Sequence, residues 1–153
     1  MGNTALALQD AMMQSQPPTS GDQEVILLAP AWPAKWDADF RLLARGGFMV
    51  SARLRGGKPE FAQILSRRGE TLRLANPWPD GCLMQAGDAE PAKLTGSKIE
   101  LPTLAGTKYL FWQDGSPKPE PVRITAPRTT EPMHIEFQPT GAVEKRILRF
   151  GRH

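Results

Sequence analysis

The side chains in this sequence with chemistry to offer are its carboxylates, its tryptophans, one cysteine and two histidines. Acid–base hydrolysis by a carboxyl pair needs the two groups about 6.5–9.5 Å apart for inversion, or about 5–5.5 Å for retention. Asp37, Asp39, Glu60, Glu70, Asp80, Glu100 and Asp114 fall singly, at turns or on outward strand positions, where solvated carboxylates belong. No catalytic residue is expected among them. Asp37 and Asp39 have the most distinctive setting, flanked by Trp36 and Phe40 on one side of an extended segment. They suit a contact to a sugar hydroxyl or, as the plainer alternative, the capping of a loop. Trp32, Trp36 and Trp78 could stack on a sugar ring; set among prolines, they equally suit plugging a sheet edge or a domain interface. His134 and His153 have no second ligand at metal spacing, so neither a metal nor another cofactor is expected. Cys82 is the single cysteine, which excludes an intrachain disulfide and a multi-cysteine zinc site and reads as a partly buried thiol. There is no G-x-S-x-G element, phosphate-cradling loop or nucleotide fingerprint.

The elements that must position these residues are short. Fifteen prolines and 14 glycines in 153 residues favour strands and turns over long helices. The net charge of +3 comes from scattered Lys and Arg with no basic run between aromatics, so nucleic acid is not an expected partner. No apolar run reaches the roughly 18–20 residues of a membrane span, so a membrane is not expected either. The amino terminus lacks a basic n-region and reads as a helix over Thr4–Gln14, not a signal peptide. Ala5, Leu8 and Met12 share one face of that helix, and Pro17-Pro18 ends it.

Glu24–Ala29 is a continuous apolar run that suits a buried strand, and the two prolines and two tryptophans after it predict an ordered irregular loop. A short strand follows at Phe40–Ala44, closed by a Gly46-Gly47 turn. From Phe48 the alternation is clear, with Phe48, Val50, Ala52 and Leu54 on one side; a one-residue slip would expose this set. Gly56-Gly57 fits a two-residue hairpin turn. The return strand Glu60–Arg67 and then Thr71–Ala75 are predicted to continue a meander. Cys82–Gln85, Ala92–Leu94, Lys98–Leu101 and Lys108–Trp112 complete the strand pattern, and YLFW, apolar at every position, is expected at the centre of a sheet. Beyond it lie only weak strands at Val122–Thr125, Met133–Gln138 and Val143–Phe150, in a segment from residue 116 that reads as loosely attached. The reading is therefore mainly β, an antiparallel β-sandwich preceded by one N-terminal helix. A leading helical unit spans 1–16, the sandwich 22–113, and a Pro-rich linker with a weakly structured extension 114–153.

The ordered series Met12-Met13-Gln14-Ser15, Val25–Pro33, Trp36, Leu43–Val50, Gly56-Gly57-Lys58 and Thr71–Leu74 resembles the end of the α-L-fucosidase-type glycoside hydrolases (family 95) over about residues 5–112. Such enzymes join a catalytic (α/α)6 barrel to a small carboxy-terminal β domain. The resemblance implies that the leading helix is the last helix of a barrel and that the catalytic residues lie upstream of Met1. It also implies a non-catalytic accessory role, with a glycoside hydrolase barrel as partner and an oligosaccharide as a further one. Trp36–Phe40 lacks the family's usual glycine, so the resemblance specifies no particular sugar. The alternative is a stand-alone carbohydrate-binding or protein-interaction module using Trp32, Trp36 and Trp78.

Overall fold

The computed structural model describes residues 2–15, 23–121 and 148–150. The chain is mainly β with one N-terminal helix. Helix α1 (Gly2–Met12) leads into β1 (Met13–Gln14), which pairs antiparallel with β2 (Leu27–Leu28). The helix thus starts and stops two residues earlier than its periodicity suggests. The reason is a tertiary contact: the amides of Ala29 and Ala31 donate to the carbonyls of Met12 and Ala11 at 2.7 and 3.3 Å, supplying partners that a helix end otherwise lacks. The apolar run Glu24–Ala29 is correspondingly not one strand. Ile26 bridges Leu74 in parallel, and only Leu27–Leu28 pairs with β1.

The large sheet is built on a meander of β3 (Ala38–Ala44), β4 (Phe48–Arg55) and β5 (Lys58–Ser66). β10 (Lys108–Gln113) follows in spatial order, then β7 (Cys82–Ala86) and β8 (Ala92–Leu94), all antiparallel. Leu148–Phe150, here β11, adds a short parallel strand outside β3. Of the tail strands expected from sequence, this segment alone falls among the described residues; the rest of 122–147 lies outside them. The hairpin at Gly56-Gly57 forms as anticipated, both glycines having positive φ (54° and 75°). A side chain at Gly57 would stand 2.5 Å from the Ala34 Cα, because the loop before β3 lies against this turn.

The predicted third strand of the meander behaves differently. β6 (Thr71–Ala75) does not pair with β5; it forms a separate two-stranded ribbon with β9 (Lys98–Pro102). A network of buried hydroxyls makes the corner. Ser66 Oγ lies 2.6 Å from Thr103 Oγ1, which donates to the Glu70 carbonyl at 2.5 Å, while the Gly69 amide donates to Ser66 Oγ at 3.1 Å. The ribbon returns Leu72, Leu74 and Ile99 to the same apolar cluster as Phe40, Val50, Ile64 and Phe111. The alternation read from Phe48 onward is realised: Phe48, Val50, Ala52 and Leu54 are all buried there. No helix among the described residues is long and apolar enough to cross a membrane.

Replacing Ser66 by Ala leaves the Gly69 amide and part of the Thr103 hydroxyl unsatisfied in a buried corner. Urea unfolding is expected to show a loss of about 1–3 kcal/mol, the cost of orphaning buried polar groups. An unchanged midpoint would show that this network does not hold the corner.

Candidate functional site

The loop from Pro30 to Asp37 is held by an aromatic pair and by hydrogen bonds to the β4–β5 turn. Trp32 is buried and Trp36 is 49% exposed, their rings meeting edge to face at 5.7 Å and 78°. Trp32 Nε1 donates to the Trp36 carbonyl at 3.2 Å, and the Gly57 amide donates to that same carbonyl at 3.2 Å. Trp32 thereby fixes the loop onto the β4–β5 turn and leaves the Trp36 ring at the surface. Asp37 Oδ1 accepts from the Gly56 amide at 2.9 Å, so its carboxylate caps the turn.

Asp39 is not an outward, solvated carboxylate. It is buried in β3 directly across from Arg53, whose Nε donates to Asp39 Oδ1 at 3.0 Å, and Arg55 Nη1 lies 3.4 Å from the same oxygen. Glu60 reaches Arg53 Nε at 3.9 Å from the other side, and the Arg53 guanidinium sits 5.4 Å from the Phe61 ring centre. Two carboxylates converge here with two guanidiniums between and beside them. That is an ion-pair cluster, in which Arg53 Nε approaches a carboxylate oxygen of each acid. Three further acids are engaged in ion pairs, Glu24 with Arg45 at 3.2 Å, Glu100 with Arg73 at 3.3 Å and Asp114 with Lys93 at 2.7 Å, whereas Glu70 and Asp80 take part in none among the described residues. The hydrogen bond and charge of Lys93 hold the Asp114 carboxyl below its usual range. No cluster of three or more His, Cys, Asp or Glu side chains able to hold a metal ion occurs among the described residues; His134 and His153 lie outside them.

Trp78 stands apart from the Trp32–Trp36 pair, with no ring-to-ring contact to either among the described residues. Its amide donates to Asn76 Oδ1 at 2.9 Å, its ring joins the main apolar cluster, and its edge borders a cavity of about 360 Å³ shared with Arg53, Glu60 and Pro117. Arg53 is not a candidate on sequence, and Glu60 reads there only as a solitary solvated acid. Their proximity to Trp78 depends on chain crossings that alternation does not encode.

Cys82 is fully buried in β7, and that burial pushes its thiol from 9.0 up to about 11, against a smaller opposing hydrogen bond with the Trp112 backbone. The native state therefore holds the proton more tightly than the unfolded chain does. The associated stability is present in full below about pH 9 and is lost as pH rises towards about 11. Urea midpoints are expected to fall between these limits in the native chain by more than in Cys82→Ala, and maleimide to label the thiol only on unfolding. Rapid labelling of the folded protein would contradict its burial.

No protein-family model matches the chain, and no curated protein matches it either.

Proposed function

We propose that this chain is a non-catalytic accessory domain of a glycoside hydrolase, its large sheet and its β6–β9 ribbon stacked as a sandwich that braces a helical catalytic body. The observation that carries the reading is the state of α1. Its last turn is docked, with Met12 and Met13 buried and Leu8 and Ala11 partly so, while Thr4, Ala5, Leu6 and Ala7 are exposed, Leu6 to 58%. An 11-residue helix is marginal alone in water, and one docked by a single end calls for a neighbour along its remaining length. The engagement of Asp37, Asp39, Glu60, Glu100 and Asp114 in turns and ion pairs fits a role without acid–base chemistry. Both sheets feeding one apolar cluster fits a sandwich. The resemblance of the motif series to the end of α-L-fucosidase-type enzymes supplies the class of partner.

The reading is tested by incubating the purified chain with nitrophenyl glycosides, α-L-fucoside among them, and by reading the frame immediately upstream of Met1. No nitrophenol release and an encoded (α/α)6 barrel are expected. Turnover by the chain alone, or no barrel, would overturn it.

A second reading, a carbohydrate-binding module, is favoured by the exposed ring of Trp36 on its rigid loop. It predicts saturable calorimetric binding of oligosaccharides that disappears in Trp36→Ala with thermal unfolding unchanged. Silence of the native chain at about millimolar affinity, near 4 kcal/mol, removes it.

A further inference from the structure

The face of the large sheet turned away from the main cluster carries an open apolar row. Leu43 of β3, 57% exposed, stands opposite the half-buried Met49 of β4, which in turn stands opposite the half-buried Leu65 of β5. Where this row meets the end of α1, a groove of about 380 Å³ forms between Met13 and Gln9 on one side and Leu43 and Met49 on the other. Three cations line it: Arg41, Arg45 and Arg67. Arg41 and Arg67 take part in no ion pair among the described residues, and Arg45 is engaged by Glu24 at an exposed site. Asp10 is the one acid in the lining.

We infer that this groove is a docking site for an acidic amphipathic helix of another polypeptide or domain, its apolar side on Leu43 and Met49 and its carboxylates on Arg41 and Arg67. The charge selects the partner. Unpaired guanidiniums rimming an apolar floor attract carboxylates and repel a second copy of this same groove, which would bring its own arginines. The backbone selects the shape of the partner. The edge of β3 is occupied at one end by Leu148–Phe150 and at the other by Ser15, whose Oγ accepts from the Arg45 amide at 3.1 Å. Between those two contacts only Arg41–Ala44 is left of the edge, shorter than a usual strand of about five to six residues, so recognition falls to side chains, as when a helix lies in a groove. The concavity between α1 and β3 favours such a rod over a flat lipid surface. The inference goes beyond the accessory-domain reading, because it holds for any chain that bears such a helix, whatever the body's activity.

The test is fluorescence anisotropy with a stapled synthetic helix carrying Leu at i, i+3, i+4 and i+7 and Glu on both flanks, against an otherwise identical helix flanked by Lys. Saturable binding of the Glu helix is expected, weakened about tenfold or more by screening salt near 1 M. It should weaken similarly in Leu43→Asp and in Arg41→Glu/Arg67→Glu. These side chains are exposed, so the variants should keep the thermal unfolding of the native chain, and that is checked alongside. Amide shift changes should cluster at Leu43, Met49 and the end of α1. Failure of the Glu helix to bind, equal binding of the Lys helix, or shift changes elsewhere overturns the inference. Preference for phosphatidylserine vesicles, or self-association abolished by Leu43→Asp, would overturn it in favour of a membrane or a second copy.

Discussion

Strand β10 is the element on which the structure turns, because it is buried on both faces. Tyr109 and Phe111 enter the main apolar cluster, while Leu110 and Trp112 form a second with Phe61, and all four of these β10 residues are buried. Every strand residue has two faces and two hydrogen-bonding edges, and in the interior all must be satisfied at once. β10 meets this with β5 on one edge and β7 on the other, in register from Tyr109 to Trp112 on both sides. It thereby joins the β3–β4–β5 meander to the β7–β8 hairpin, which would otherwise be two small sheets with exposed edges.

From this constraint the remaining layout follows. With β10 beside β5, the edge of β5 is filled and β6 cannot extend the meander. The chain leaves the sheet after Ser66 and returns its apolar residues from a separate ribbon. That turn buries polar backbone, and the hydroxyls of Ser66 and Thr103 are placed to satisfy it. The Tyr109 hydroxyl extends the same logic, accepting from the Leu104 amide at 2.9 Å. Two buried groups are exceptions: Trp112 Nε1 and Arg73 Nε have no hydrogen-bond partner among the described residues, and we have no physical account of either.

The features with functional weight lie around the rim of this core. At one corner the loop carrying Trp36 is clamped to a glycine turn, so an aromatic ring is presented on a rigid base. At the opposite end of β3, α1 is held by its carboxyl-terminal carbonyls and leaves half its length uncovered, beside an apolar row edged with arginines. Elsewhere two ion pairs link residues directly opposite one another on neighbouring strands, Arg53 with Asp39 and Arg73 with Glu100.

The sequence alone determined the local features, those written into neighbouring residues. Alternation from Phe48 to Leu54 specified which side of β4 is buried, the paired glycines specified the hairpin, and the unbroken apolar run Tyr109–Trp112 specified a central strand. The strands at Cys82, Ala92, Lys98 and Lys108 were legible for the same reason. Tertiary structure alone decided the partners. The Thr71–Ala75 segment has the same inward pattern whether it pairs with β5 or with β9, and the choice depends on which edge β10 occupies. The end of α1 depends on amides from a loop more than a dozen residues away. Asp39 reads as a solvated acid until the register sets Arg53 opposite it, and Trp78 reads as a companion of Trp32 and Trp36 until the fold carries it elsewhere. Periodicity reports which face of an element avoids water; it holds no information on which distant element does the covering, and that is where the candidate sites are made.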